Sequence, residues 1–277
     1  MGFLVMELIE INDQTYAYKI HQRDDNLPYL LMQHGFMGDH RVFEHLVETL
    51  CTFCNPIAID LLGYGKSSKP TDPQRYHETK QIEDILSIIK NLKLDRLFLY
   101  GYSMGGRLAM QIAIANPSYF TGLILESATC GIAEKNSRQG RRQQDEARAK
   151  QIESDFDKFL TTWEMLDLFK SPLTTDEKLT QKYHLIQSQQ SPSALAASLR
   201  GFGTGSMSPV CNNLHKIVLP TLLIAGSNDE KYQRINNDLV NQFPNAIFKS
   251  VKAGHRVHLD NPPALVSEIK QYLNKII

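Results

Sequence analysis

Three side chains far apart in the chain, Ser103, Asp229 and His255, have the types needed for nucleophilic or proton-transfer chemistry. Ser103 stands in Gly101-Tyr102-Ser103-Met104-Gly105, a G-x-S-x-G pattern continued by Gly106 and Arg107. A serine hydroxyl is a weak nucleophile and a weak base until a neighbouring imidazole takes its proton, and that imidazole needs a third group to orient it. Asp229 closes Gly226-Ser227-Asn228-Asp229, and His255 closes Ala253-Gly254-His255, giving the order serine, acid, histidine. Taken alone, Asp229 reads as a helix cap and His255 as a surface histidine; the joint arrangement makes them a triad with Ser103. His258 competes for the role of base, but His255 sits at the loop glycine and is preferred. Negative charge developing on a substrate oxygen needs preorganised donors. The Met104 N–H, next to the serine, and the Phe36 N–H, in His34-Gly35-Phe36-Met37-Gly38, are the expected pair.

These residues act together only if strands and turns bring them to one place. Short apolar runs without alternation recur at 29–32, 56–59, 97–100, 122–125 and 221–225, as expected of strands buried on both faces. Segments of helical period alternate with them at 42–50, 79–92, 104–115, 233–243 and 263–277, after two short β-rich segments at 7–11 and 16–21. The fold class is therefore α/β, with a mostly parallel, doubly wound sheet. Ser103 and Asp229 then fall just beyond the carboxyl ends of such runs, and His255 just beyond the apolar-alternating segment at 246–251, at the edge where such sheets collect their functional groups. From about Cys130 to Ser208 no strand-like run occurs. The chain thus divides into a first part of the core (1–129), an inserted helical cap (130–208) and a second part of the core (209–277).

Composition narrows the alternatives. The 277 residues are 42% hydrophobic, enough for a large core, and 30 basic residues balance 30 acidic ones. No net field draws the chain to nucleic acid or to an anionic membrane, and no apolar run is long enough to span a bilayer. The start carries Glu7 and Glu10 and no leader-like pattern, and Met6 stands where an acylation signal after Gly2 would want Ser or Thr. Met1 and Met6 both remain as starts, and the expectation is a soluble, cytoplasmic protein. Gly65-Lys66-Ser67 resembles the end of a phosphate-binding loop, but Asp60 occupies the position where that loop needs glycine. Cys51 and Cys54 have the spacing of a redox or metal pair without the context of either, and are expected to be buried or half-buried; four cysteines are too few for a disulfide scaffold. No metal and no cofactor are called for.

The arginines speak to the substrate. Arg107 lies one helical turn after Ser103 on the same face, an unusual guest in an apolar lipase-type pocket. The cap opens with Arg138, Arg141, Arg142 and Arg148, and over 134–150 basic residues outnumber acidic ones six to three. Singly, Arg138, Arg142 and Arg148 read as a solvated basic face. With Arg107, the pattern points to a small-molecule substrate bearing more than one carboxylate.

The runs Gly101 to Arg107, His34 to Gly38, Ala253 to His255, Glu126-Ser127-Ala128 and Leu199 to Gly205 together resemble the 2-succinyl-6-hydroxy-2,4-cyclohexadiene-1-carboxylate synthase family. Its members are menaquinone-biosynthesis lyases of the α/β-hydrolase superfamily. The resemblance implies a lyase that uses a hydrolase-type triad to expel pyruvate from an enolpyruvyl ether. It places Tyr102 and Trp163 in the pocket, and gives Arg107 and Arg141 carboxylates to hold. The family pattern has a further arginine in the later cap, where Gln187 stands here. Arg200 or another residue supplies that contact, or the third carboxylate is held more loosely. The rival readings are a carboxylesterase or C–C bond hydrolase of the same fold, and a non-enzymatic binding protein.

Overall fold

The structure, a computed structural model, describes residues 5–277. Met1 and Gly2, on which the alternative start and the acylation reading turn, lie outside the described residues. Eight strands form one sheet: β1 (Glu7–Ile11), β2 (Gln14–Ile20), β3 (Tyr29–Gln33), β4 (Asn55–Ile59), β5 (Leu97–Tyr102), β6 (Phe120–Glu126), β7 (Thr221–Gly226) and β8 (Ala246–Val251). Their order is β1-β2-β4-β3-β5-β6-β7-β8. The β1/β2 and β2/β4 pairs are antiparallel and every other neighbour is parallel. Every residue of β4, β5 and β7 is buried, which is why their sequences are continuous apolar runs and not alternating ones.

The α-helices are α1 (Val47–Leu50), α2 (Glu78–Leu92), α3 (Met104–Ala115), α4 (Lys135–Ser154), α5 (Phe156–Glu164), α6 (Glu177–Ser188), α7 (Pro192–Phe202), α8 (Glu230–Val240), α9 (Val257–Asp260) and α10 (Pro262–Ile276). Two apolar clusters, one on each side of the sheet, form the core: one groups α2 and α3 residues with Leu31 and Leu99, the other groups α10 with Leu30, Phe98 and Ile224. The helix expected over 42–50 is mostly a tighter 3-10 turn, His40–Leu46, followed by the single turn α1. That turn is pinned at its start by the Asp39 carboxylate, which accepts from the Arg41 N–H. The helix expected over 233–243 begins three residues earlier because Asp229 caps it.

Between β6 and β7 the chain runs through α4, α5, α6 and α7 with no strand. A disulfide joins Cys130 to Cys211, 81 residues apart, at the two roots of this segment. Nothing in the cysteine spacing pointed to it. Cys51 is half-buried and Cys54 buried, both as free thiols. Gly65-Lys66-Ser67 forms a turn wrapped around Asp60, whose carboxylate accepts from the Lys66 N–H at 2.7 Å. Among the described residues no helix is long and apolar enough to cross a membrane.

Candidate active site

Ser103 stands between β5 and α3 with φ 51° and ψ −103°, a conformation that L-residues seldom adopt. The turn holds it there: its N–H donates to the Glu126 carbonyl of the neighbouring β6 at 2.8 Å, and its own carbonyl accepts from the Arg107 N–H. Gly105 is required at the next turn of backbone, because a Cβ there would run into the Gln33 carbonyl of β3. Strand end, sharp turn and helix start thus lift the hydroxyl out over the sheet edge.

His255 reaches that hydroxyl from the loop after β8. Its Nε2 lies 3.2 Å from Ser103 Oγ, and its Nδ1 lies 2.6 Å from Asp229 Oδ2. With Nδ1–H donated to Asp229, the Nε2 lone pair faces the serine, which is the tautomer a general base needs. Asp229 does two jobs: its Oδ1 caps α8 by accepting from the Tyr232 N–H, and its Oδ2 holds the imidazole. Burial pushes the His255 ring below its ordinary value, opposed by Asp229, so the ring is neutral at neutral pH.

His258 does not share this site. It is fully buried, and its N–H and ring Nδ1 both face Glu126 Oε1, at 3.1 and 2.8 Å. Although burial pushes the Glu126 carboxyl up, His258 and the Tyr100 hydroxyl hold it below its ordinary value. Glu126 therefore ties both turns in place, the serine turn through its carbonyl and the histidine loop through its carboxylate. The sequence reading missed this role. The only signal was an acid at a strand's carboxyl end.

The Phe36 and Met104 N–H groups lie beside the serine turn, and neither has an acceptor among the described residues. The Phe36 loop is fixed from below by His34, whose Nδ1–H donates to the Gly35 carbonyl and whose Nε2 accepts from the Leu61 N–H. Gly35 has no side chain because the Tyr102 ring occupies that space. Asp39, His40 and Asp60, also under this loop, are the one group of closely spaced metal-ligand types among the described residues. Their lone pairs are already engaged: Arg41 grips Asp39 through two nitrogens, and Asp60 accepts from the His40 and Lys66 N–H groups. They lock the loop in place.

Over Ser103 lies a cavity of about 900 Å³, including its open mouth. Phe36, Tyr102, Met104, Arg107, Arg141 and Trp163 line it together with Ser103 and His255. Arg107 is 8% exposed and forms no salt bridge among the described residues; its Nη1 donates to Thr204 Oγ1 at 2.7 Å and to the Phe202 carbonyl at 3.3 Å. Burial, with Arg141 adding to it, pushes the Arg107 guanidinium down to about 10. Arg141 donates to the buried Asp145 carboxylate at 2.8 Å.

Two expectations about cap arginines are corrected. Arg200 does not line the cavity: it is bound by Glu146 and Glu153 of α4, at 2.9 and 2.5 Å. Arg148, read as part of a solvated face, lines the cavity with its guanidinium 5.7 Å from the Trp163 ring centroid. Gln187 is buried in α6 and does not line the cavity. Lys231 and Arg256, neither singled out in the sequence, also line it.

The sheet order, the inserted helices and a Ser–His–Asp constellation at the carboxyl edge define an enzyme of the α/β-hydrolase class. The sequence pattern of the family described as "alpha/beta hydrolase fold" matches residues 28–262. A Bacillus subtilis (strain 168) relative, provisionally named a 2-succinyl-6-hydroxy-2,4-cyclohexadiene-1-carboxylate synthase, is 35% identical over 88% of this chain and 89% of its own length. A Serratia proteamaculans protein of that name is 26% identical over 92% of this chain and 96% of its own. A solved structure described as MenH from S. aureus superposes with a TM-score of 0.89 at 31% identity, covering 93% of this chain and 98% of that one. The chain belongs to the α/β-hydrolase family and, within it, to the 2-succinyl-6-hydroxy-2,4-cyclohexadiene-1-carboxylate synthase family.

Proposed function

We propose that the protein eliminates pyruvate from 2-succinyl-5-enolpyruvyl-6-hydroxy-3-cyclohexene-1-carboxylate, giving 2-succinyl-6-hydroxy-2,4-cyclohexadiene-1-carboxylate, in menaquinone biosynthesis. The observation that carries the reading is a serine–histidine–aspartate relay beneath a cavity walled by cations, in a chain aligned with these synthases over nearly its full length. An ester hydrolase needs the relay but has no use for so many arginines; a tricarboxylate substrate needs both.

His255 takes the Ser103 hydroxyl proton as Ser103 Oγ removes the proton α to the succinyl carbonyl. The electron pair moves onto the carbonyl oxygen, where the Phe36 and Met104 N–H groups receive the developing charge. Collapse of that enolate forms a double bond between ring carbons 2 and 3, shifts the existing 3,4 double bond to carbons 4 and 5, and so breaks the bond from carbon 5 to the enolpyruvyl oxygen. The enolpyruvate so released takes up a proton and becomes pyruvate. Asp229 keeps His255 in the required tautomer and steadies the imidazolium that forms. Arg107 and Arg141 hold carboxylates, while Tyr102 and Trp163 shape the wall around the ring. No step requires a metal or an organic cofactor. Residues 130–208 serve as the lid that brings the cap cations over the sheet edge, and the biosynthetic role fits a cytoplasmic enzyme.

Pyruvate release, followed through NADH oxidation by lactate dehydrogenase, tests the reading. Wild-type protein should release pyruvate from the enolpyruvyl substrate well above the spontaneous rate, and Ser103→Ala should lower kcat by orders of magnitude. Turnover of p-nitrophenyl esters with no pyruvate release would make the protein a hydrolase.

A further inference from the structure

Five cations line the cavity: Arg107, Arg141, Arg148, Lys231 and Arg256. Arg141 and Arg148 share the Asp145 carboxylate. Arg256 forms no salt bridge among the described residues, and its Nε is buried without a hydrogen-bond partner. Its guanidinium is not loose, however. The central carbon lies 3.8 Å from the Phe169 ring centroid and 4.4 Å from that of Tyr183. Aromatic contacts grip a guanidinium by its faces and leave the N–H donors in its plane free for a carboxylate. A buried donor left unpaired is costly, so a site that keeps one is built for an acceptor supplied from outside.

The position matters as much as the geometry. Arg256 directly follows His255, and Phe169 packs against the His255 ring at 6.1 Å. Arg107 stands on a different wall, against Phe202 and Thr204. The cavity thus has two unneutralised arginines on separate walls, with Ser103 and His255 also lining it.

We propose that Arg256 is a second carboxylate-binding pole of this site, taking a substrate carboxylate other than the one held at Arg107, so that the pocket selects polycarboxylates over monocarboxylates. This rests on the reading that the substrate is a polycarboxylate. No residue of the late cap has to supply the contact: it comes from the loop that carries the base, and the cap contributes the two rings that fix it.

The chain's one tryptophan, Trp163, lines the cavity and reports occupancy without turnover. Propane-1,2,3-tricarboxylate and butyrate are titrated against its fluorescence in wild type, Arg256→Met and Arg256→Gln. The tricarboxylate should saturate the wild type and bind Arg256→Met about 10- to 100-fold more weakly, as for loss of a charged hydrogen-bond pair. Butyrate, which needs only one pole, should change no more than about threefold. Arg256→Gln, which keeps a planar group against the rings, should show the same loss, and carries the test if the methionine variant fails to fold. Equal tricarboxylate affinity in wild type and a folded variant, or equal losses for both ligands, overturns the proposal. A wild type that neither binds the tricarboxylate nor releases pyruvate refutes the polycarboxylate reading beneath it.

Discussion

Replacing Arg107 with Met should cripple the enzyme and leave the protein about as stable as before. Arg107 is buried at 8% exposure, without a carboxylate partner, and its guanidinium is pushed down to about 10 from an ordinary 12.5 by burial and by Arg141. A base whose folded value lies below its unfolded one is disfavoured in its charged form on folding. At neutral pH, below both values, the whole cost is present, roughly 3 kcal/mol. Met fills the space of the arginine stem and removes that cost. It also removes the charged donor to Thr204 Oγ1 and the Phe202 carbonyl, two bonds worth at least about 1.5 kcal/mol each. Gain and loss nearly cancel, so Tm should move by no more than about 2–4 °C, the equivalent of about 1 kcal/mol for a domain of this size. Activity should fall. Losing a charged hydrogen bond to a substrate carboxylate costs about 1.5–3 kcal/mol, so kcat/KM for pyruvate release should fall about 10- to 150-fold. Thermal denaturation and the coupled pyruvate assay on one preparation measure both. A Tm lowered well beyond that range with unchanged kcat/KM would make Arg107 a structural residue.

Because burial holds His255 below its ordinary 6.5, opposed by Asp229, kcat/KM should rise with pH through a midpoint under 6.5 and stay level above it; Asp229→Asn should lower that midpoint further and cut kcat at least 100-fold, both read from pH–rate profiles. Glu126→Gln removes a fully buried carboxylate that accepts from the His258 N–H and the Tyr100 hydroxyl, so urea unfolding should show a loss of about 1.5–3 kcal/mol; since the Glu126 carboxyl is held below its ordinary value, its contribution is present above that value and should be lost as pH falls through the lower folded one. Gly105→Ala forces a methyl group into the Gln33 carbonyl and should destabilise the fold by about 3 kcal/mol or prevent soluble expression. Reduction of Cys130–Cys211 opens a link across 81 residues, so Tm under dithiothreitol should drop by an amount consistent with about 4 kcal/mol of loop-closure entropy.

Much of the site was legible in the sequence because its parts follow strand ends. A buried parallel strand announces itself as an apolar run, and what comes just after it lies at the carboxyl edge; that rule with the G-x-S-x-G pattern placed Ser103 and Asp229, while His255 follows the alternating segment of β8, which is mostly half-buried or exposed, and needed the order serine, acid, histidine besides. Choosing His255 over His258 needed only the adjacent glycine, and the structure separates the two by giving His258 to Glu126. The cap was harder, because a helix position says which residues share a face but not which way the face turns. Arg200 sits on α7 and was expected inward; Glu146 and Glu153 of α4 draw it outward. Arg148 was expected outward, and the Trp163 ring and Asp145 keep it in. Arg256 follows the histidine directly, yet its partners Phe169 and Tyr183 lie far back in the cap, so no local pattern marks it. The Cys130–Cys211 link escaped for the same reason: only the closed fold brings the two roots of the cap together.

In the proposed reaction Ser103 removes a proton and does not become acylated. A single turnover with substrate deuterated α to the succinyl carbonyl, quenched at intervals and read by pyruvate formation and by intact-protein mass, tests it most directly. Proton abstraction by Ser103 should give a primary isotope effect on pyruvate release and no mass added to the protein at any time. Pyruvate formation insensitive to deuterium, with a transient adduct on Ser103, would contradict it.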